Sequence, residues 1–150
     1  MKKVVFIGGP ITHMIDDGKF NTKYKFLLNN IILQLEHNYN VVSAYITENY
    51  GKTILKNDEE TTKRDLNWIE DADICVFIFP FDVNNKYFYR SDGMFVEIGY
   101  AVARQKKILL FTDIEKFALL SPMIRGLVCK NVYYESIHNL NLNVIKKYII

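Results

Sequence analysis

The chain has 150 residues, the size of one ordinary domain, which can bury most of its apolar surface without metal ions or disulfides. Its 19 Lys and Arg residues and 17 Asp and Glu residues give a formal charge of +2. These charges are spread along the chain and form no basic stripe of the kind that neutralises a nucleic-acid backbone. We therefore expect one domain, residues 1–150, that does not bind a nucleic-acid polymer.

The two cysteines, Cys75 and Cys129, fit neither a disulfide framework nor a zinc site by their spacing, so we expect reduced core residues. The apolar run at the N-terminus is too short for a signal peptide. Nowhere do about 18 apolar residues follow one another, as a membrane-spanning helix requires. The sequence predicts a soluble cytoplasmic protein with no membrane partner.

Short runs of β-branched and aromatic residues alternate with helical patterns along the chain. The predicted strands are 3–7, 39–45, 73–79, 107–111 and 131–135, and the predicted helices are 24–35, 61–70, 95–102 and 138–149. Strands that are apolar throughout are typical of a parallel sheet covered on both faces. We expect a three-layer α/β fold, flavodoxin- or Rossmann-like, with a five-stranded parallel sheet. Residues 51–60 and 82–91 are polar enough to form long loops.

Ligands bind at the carboxyl ends of the strands in such a sheet, so the first candidate is the stretch after the first strand. In "GGPITH", residues 8–13, Gly8 and Gly9 would let a phosphate or sugar approach the backbone closely. The stretch lacks the spacing of a dinucleotide fingerprint and of a Walker loop. A purely structural turn and a ligand-binding loop are both compatible with it.

The second candidate is the start of the third predicted helix. Ser91 and Asp92 are good N-cap residues, and a helix N-terminus attracts anions. Glu97 lies six residues after Ser91, too far for the acid of a capping box. Among apolar neighbours it would be partly desolvated, which suits a carboxylate nucleophile. A solvated or salt-bridged glutamate is the other interpretation, and the spacing alone does not decide between them.

Asp65 lies in the second predicted helix, ahead of the third strand, and by itself it is typical of a surface carboxylate. The three histidines are scattered, so their spacing predicts no metal site. The GxSxG elbow of a serine hydrolase does not occur. From the residues alone we expect neither a metal ion nor a Ser-His-Asp triad.

Three stretches, however, resemble one known family when they are taken together. "RDLNWIEDADICVF", "SDGMFVEIGYAVARQKKILLF" and "LLSPMIRGL", in this order, are similar to the nucleoside 2-deoxyribosyltransferase superfamily. They carry an acid ahead of the third strand, a helix bearing E-x-G-x-A, and an S-x-M-I-R-G segment after the fourth strand. The last segment points to the nucleotide N-hydrolase branch. The resemblance spans nearly the whole chain.

The resemblance implies a division of labour between two acids. Glu97 occupies the position of the family's glutamate nucleophile, which attacks the anomeric carbon and forms a glycosyl-enzyme ester. Asp65 matches the acid that helps to protonate or orient the leaving base, so the pair would act as two carboxylates do in retaining glycosidases. Neither a metal nor a redox cofactor is implied.

The resemblance also assigns a phosphate site. Ser91 falls where transferases that act on free nucleosides have an aspartate and nucleotide hydrolases have a serine that contacts the 5′-phosphate. Ser91 and Gly93 would then bind phosphate together with the helix N-terminus. Ser121 matches a serine that reaches the phosphate from a neighbouring subunit, which implies a homodimer, and Met123 of the same segment is a further candidate for substrate binding.

Two points of this alignment stay open. A shift of one residue would place Asp92, and not Ser91, opposite the aspartate of the transferases. The segment 82–90 is longer than the corresponding loop of the deoxynucleotide hydrolases, and its Lys86 and Arg90 either cover the phosphate or are merely solvated.

The first loop indicates the substrate. Aligned on Pro10 and Ile11, Phe6 replaces a tyrosine of the deoxynucleotide hydrolases and lacks the hydroxyl that would orient the glutamate or crowd a sugar 2′-OH. Phenylalanine and the Gly-Gly-Pro turn look more like the CMP N-glycosidases of nucleoside-antibiotic pathways. We count five residues of this stretch as candidate substrate-binding residues: Phe6, Gly8, Gly9, Pro10 and Ile11.

The sequence therefore favours hydrolysis of a pyrimidine nucleoside 5′-monophosphate, CMP or dCMP, to free base and (deoxy)ribose 5-phosphate. A deoxyribosyltransferase that exchanges bases between nucleosides is the alternative within the enzyme class. A nucleotide-binding module without turnover is the alternative outside it.

Overall fold

The computed structural model describes residues 1–53, 55–127 and 131–149. In chain order the strands are β1 (Val4–Gly8), β2 (Ile15–Asp16), β3 (Lys19–Phe20), β4 (Asn40–Val42), β5 (Ile74–Phe79), β6 (Phe81–Asp82), β7 (Tyr87–Phe88), β8 (Ile108–Thr112) and β9 (Val132–Ser136). The α-helices are α1 (Thr22–Glu36), α2 (Ala44–Thr47), α3 (Asp58–Asp71), α4 (Asp92–Ala103), α5 (Pro122–Arg125) and α6 (Leu142–Tyr148). Short 3₁₀ turns cover Thr12–Met14, Ile114–Leu119 and Ile137–Asn139.

Five strands form one parallel sheet in the order β4-β1-β5-β8-β9. Counted within the sheet, this is the flavodoxin-like order 2-1-3-4-5, in which ligands bind where the strand order reverses, beside the first and third strands. The predicted fold class and the number of sheet strands are confirmed. The reversal point lies between β1 and β5, so the carboxyl ends of these two strands are where a site is expected.

Both faces of the sheet are covered by helices, as the uninterrupted apolar strands predict. Alternate residues of β5 point to opposite sides: Ile74, Val76 and Ile78 pack in a core with α1 and α6, and Cys75, Phe77 and Phe79 pack in a core with α3, α4 and α5. Cys75 is a free thiol, and burial raises its pKa to about 12. Cys129 lies outside the described residues. In the part of the chain that is described, no helix is both long and apolar enough to cross a membrane.

Two predicted element boundaries differ from the structure because of capping side chains. The strand predicted over 39–45 ends at Val42, since Ser43 caps the short helix α2 by accepting a hydrogen bond from Tyr45 N at 3.2 Å. Helix α3 begins at Asp58, inside the predicted loop 51–60, because Asn57 caps it through a 3.0 Å bond from Glu60 N.

The predicted loop 82–91 contains part of a hairpin. β6 and β7 pair antiparallel, and the Asp82 carboxylate closes the turn by accepting hydrogen bonds from the backbone of Asn84 and Asn85 and from the Asn85 side chain. A second hairpin joins β2 and β3 through Asp17 and Gly18, whose positive φ angles of 47° and 72° are typical of a two-residue hairpin turn. Strands of two residues are too short for a hydrophobic period to reveal them.

The C-terminal helix is shorter than the predicted range 138–149. Asn141 caps α6 by accepting from Val144 N at 3.0 Å, and the residues before it form the 3₁₀ turn Ile137–Asn139. The remaining core-facing helices, α1 and α4, lie where the apolar period places them.

Candidate active site

A cavity of about 350 Å³ opens at the carboxyl end of β1, between the loop after β1, helices α2 and α3, and the first half of α4. Nine predicted site residues line it: Phe6, Gly8, Gly9, Ile11, Asp65, Ser91, Asp92, Gly93 and Glu97. Predicted site residues from three separate parts of the chain therefore meet at one place, at the edge of the sheet where the strand order reverses.

Glu97 lies in the second turn of α4, where it is half-buried. Burial raises its pKa from the usual 4.5 to about 8, and the charge of Asp65, a hydrogen bond with Asp65 and the charge of Glu48 act in the same direction. Arg64 opposes the shift. With a pKa of about 8, Glu97 keeps its proton at neutral pH and can donate it in the hydrogen bond to Asp65.

Asp65 is held from behind by an arginine. Its Oδ1 accepts from Arg64 Nε at 2.8 Å, and Arg64 Nη2 donates to Glu48 Oε2 at 2.7 Å. The guanidinium also stacks on Trp68, 4.7 Å from the ring centroid. The Asp65 side chain is only 15% exposed, so the interpretation as a surface carboxylate is wrong, and Asp65 is a fixed, half-buried acid.

Gly8 allows Glu97 to lie against the end of β1. A Cβ atom on Gly8 would stand 3.0 Å from Glu97 Oε2 and 2.9 Å from ring carbons of Phe6 and Phe77. A Cβ atom on Gly9 would overlap the Tyr45 hydroxyl and the Ile78 side chain. The two glycines are therefore required by close packing, and Gly8 also sets the position of the candidate nucleophile.

The loop after β1 is anchored by a tyrosine that the sequence pattern did not indicate. Tyr45 donates its hydroxyl hydrogen bond to the carbonyl oxygen of Pro10 at 3.0 Å. Burial raises the pKa of Tyr45 well above its usual value, and the nearby charge of Glu97 adds to this. Pro10 itself is buried and does not line the cavity, so it serves as an anchor point and not as a contact surface. Phe6 presents a ring without a hydroxyl to the same space.

The other end of the cavity is built by the N-terminus of α4. Ser91 Oγ caps the helix by accepting from Met94 N at 3.1 Å, and its own hydroxyl proton is still available to donate. Asp92 and Gly93 follow in the first turn, and His13 and Arg90 complete this part of the wall. Backbone N–H groups, the helix dipole and the guanidinium of Arg90 favour an anion here, and the carboxylate of Asp92 opposes it.

Ser121 and Met123 do not reach this cavity within one chain. Ser121 caps α5 by accepting from Met123 N at 3.2 Å, and it lines a separate depression of about 460 Å³ that shares Arg90 and Asp92 with the cavity. Met123 is 80% exposed. Both residues would have to act on the site of another subunit, as the predicted homodimer requires.

A larger groove of about 840 Å³ lies between the two hairpins and shares His13 and Arg90 with the cavity. It contains neither acid of the pair, so we place the chemistry in the smaller cavity. Within the described ranges, no three His, Cys, Asp or Glu side chains are arranged to hold a metal ion.

Comparisons with solved structures agree with this architecture. The CMP N-glycosidase BcmB of Clostridium botulinum matches with 23% identity over 99% of this chain and 100% of its own, at a TM-score of 0.64. The solution structure of BlsM matches with 24% identity over 99% and 87%, at a TM-score of 0.73. A 2-desoxiribosyltransferase from Leishmania mexicana matches with 14% identity over 98% and 97%, at a TM-score of 0.59. At these identities the likeness establishes the fold.

No sequence among the curated proteins matches the chain. The family model described as nucleoside 2-deoxyribosyltransferase matches residues 5–143, a stretch that includes most of β1, both acids and the segment around Ser121. Because this match covers most of the chain, the protein belongs to the nucleoside 2-deoxyribosyltransferase family.

Proposed function

We propose that the protein hydrolyses the N-glycosidic bond of a nucleoside 5′-monophosphate, with a pyrimidine base and CMP or dCMP favoured. The products are the free base and (deoxy)ribose 5-phosphate. The observation that carries the proposal is the hydrogen-bonded pair of Asp65 and Glu97 in a cavity whose other end is a helix N-terminus.

The pair supplies the two groups that this reaction needs. Glu97 attacks the anomeric carbon as a carboxylate while the C1′–N bond breaks, and the bonding electrons leave with the base. Asp65 donates the shared proton to the departing base, which would otherwise carry negative charge. A water molecule then adds its oxygen to C1′, its proton returns to Asp65, and Glu97 is released from the ester.

The anion-binding end favours a nucleotide over a free nucleoside. Ser91 and Glu97 lie six residues apart on α4, which is about 9 Å along the helix axis. A sugar can therefore span from the nucleophile to the first turn, where its 5′-phosphate would meet Ser91, Gly93 and the nearby Arg90. The structure named CMP N-glycosidase, which is similar over its full length, supports the same choice. Phe6 lacks the hydroxyl that would crowd a sugar 2′-OH, and this supports a ribonucleotide as the substrate.

We also propose a homodimer in which Ser121 completes the phosphate site of the partner subunit. The exposed face of α4 is apolar, with Phe95 and Val96 on the surface, and the exposed Leu119 and Met123 flank Ser121. Gly99 lies in the middle of α4, where a Cβ atom would have no neighbour within 4 Å, although glycine inside a helix costs about 1 kcal/mol relative to alanine. An apolar helix face with a central glycine suits close approach by a second copy.

A transferase that acts on free nucleosides is the second candidate, because Asp92 lines the anion-binding end. A carboxylate there would accept hydrogen bonds from a sugar 5′-hydroxyl and repel a phosphate. The similarity to the transferase from Leishmania mexicana supports it as well, at a lower TM-score of 0.59.

One chromatographic assay separates the two candidates. The purified protein is incubated with ribo- and deoxyribonucleoside monophosphates and with the matching nucleosides, each with and without an added second base. We expect base release from monophosphates alone, with no new nucleotide or nucleoside when the second base is present. Release from nucleosides, or exchange into a new nucleoside, would replace the hydrolase proposal with the transferase.

A further inference from the structure

We propose that Glu48 selects the base by accepting a hydrogen bond from its exocyclic amino group. The enzyme would then prefer cytosine, which carries an amino group, to uracil, which carries an oxygen at the same position. This inference rests on the proposed function and adds a specificity-determining residue to it.

Glu48 lies at the C-cap of α2 and lines the cavity, although the motif pattern did not indicate it. Its side chain is only 12% exposed, and its Oε2 accepts from Arg64 Nη2 at 2.7 Å. Among the described residues, Arg64 is the hydrogen-bond partner of this carboxylate, and Arg64 is not part of the cavity wall. The second carboxylate oxygen is thus left for a group inside the cavity.

One guanidinium fixes the spacing of two acids. Arg64 binds Asp65 through Nε and Glu48 through Nη2, so these carboxylates lie side by side across a planar, rigid group. Asp65 is the proposed proton donor to the base, and Glu48 lines the same cavity, held by the other arm of the same guanidinium. A base that receives a proton from Asp65 can therefore present its next ring substituent to Glu48.

Charge decides which substituent fits. Within the described residues, the three acids Glu48, Asp65 and Glu97 lie around one half-buried cation, Arg64, so carboxyl groups outnumber cations at the base end of the cavity. An ionised carboxylate only accepts hydrogen bonds. It can accept from the amino group of cytosine, whereas the carbonyl oxygen of uracil in that place would leave two acceptors facing each other.

The alternative is that Glu48 only holds Arg64 in place. The two roles are separated by the ratio of kcat/KM for CMP to kcat/KM for UMP, measured in wild type and Glu48→Gln. Glutamine keeps an oxygen for Arg64 and can offer its amide N–H to uracil, so we expect the ratio to fall by about tenfold or more. Glu70→Gln is the matched control, because Glu70 also forms an ion pair with an arginine, Arg104, but does not line the cavity. The CMP to UMP ratio of this variant should equal that of wild type.

An equal loss of activity on both nucleotides in Glu48→Gln would overturn the inference. It would show that Glu48 only holds Arg64 in place. A wild-type protein that cleaves no nucleotide would instead defeat the proposed function. In that case equilibrium binding of intact CMP and UMP is the readout. Tighter binding of CMP that disappears in Glu48→Gln would support the role of Glu48, and equal or absent binding of the two nucleotides would overturn it.

Discussion

The shared proton of Asp65 and Glu97 governs what the site does at each pH. The pKa of about 8 for Glu97 marks the pH above which the pair loses this proton. In the proposed mechanism Glu97 attacks as a carboxylate and Asp65 donates the proton, so the reaction needs one proton on the pair and not two or none. Arg64, which donates a hydrogen bond to Asp65, partly offsets the rise in the pKa of Glu97.

We therefore expect kcat/KM for CMP to fall about tenfold per pH unit above about pH 8, because both acids are then ionised and none can protonate the base. The values of kcat/KM are compared above about pH 7, where the 5′-phosphate has already lost its second proton.

In Asp65→Asn the overall rate should fall by about 10² to 10⁴. Its dependence on pH should reverse, since Glu97 alone must ionise and activity then rises with pH.

A wild-type profile that rises through pH 8 would show that Glu97 ionises by itself and that the proton of the pair is not used. Steady-state rates across a buffer series at constant ionic strength make this measurement for both proteins.

Some residues of the site could be predicted from sequence and others could not, for a physical reason. Glu97 stands out because an acid in an apolar turn, outside a capping box, needs an explanation. Arg64 and Glu48 do not stand out, since they are 16 positions apart in the sequence and their importance comes from a contact that forms only in the fold. Tyr45 falls in a predicted strand, and its bond to Pro10 depends on the helical turn that Ser43 starts.

At the level of elements, the site depends on how closely the end of β1 approaches α4. Gly8 is the contact point, and its missing side chain leaves room for the carboxyl group of Glu97. The apolar pattern predicts β1 and α4 but not the distance between them, because the spacing of a strand and a helix depends on the side chains that lie between them.

The variant Gly8→Ala tests this contact. Its Cβ would crowd Glu97 Oε2 and the rings of Phe6 and Phe77, so we expect the carboxyl group to shift and kcat to fall about 10²-fold. Overpacking should also lower stability by about 1 to 3 kcal/mol. Rates are compared well below the melting temperature, which circular dichroism gives for each protein. Wild-type kcat in a folded Gly8→Ala protein would mean that Glu97 does not need this position.

The long loops contain local structure that hydrophobic patterns do not predict. The segment 82–91 is polar, yet the carboxylate of Asp82 folds part of it into a hairpin that leads directly to Arg90 and Ser91. Hydrogen bonds from one side chain to several backbone groups produce such local structure, and these are not visible as a hydrophobic period.

For the whole molecule, the fold follows from the sequence because five apolar runs separated by helices leave few other arrangements. The assembly of subunits does not follow from the sequence in the same way. A single chain shows an exposed apolar face on α4 and a serine, Ser121, that does not line its own cavity. In the proposed dimer each site takes Glu97 from one subunit and Ser121 from the other.

Mixed dimers test this arrangement. Glu97→Gln and Ser121→Ala are each expected to lower activity on CMP strongly. In a mixed dimer of the two, one site carries both changes and the other carries neither. Random exchange of subunits should therefore restore about a quarter of the sites, as two-fold symmetry requires. Size-exclusion chromatography with light scattering verifies the dimer. No recovery on mixing, or an unimpaired Ser121→Ala protein, would contradict the role of Ser121 across the interface.

If Glu97 cleaves the bond between base and sugar of a nucleotide, as we propose, the purified protein should release cytosine from CMP. Cytosine and ribose 5-phosphate are quantified by chromatography for wild type and for Glu97→Gln at equal protein concentration. We predict that wild type releases the two products in equal amounts and that Glu97→Gln is slower by at least about 10³-fold. CMP that stays intact with wild type, or release at the same rate by both proteins, would show that Glu97 does not cleave this bond.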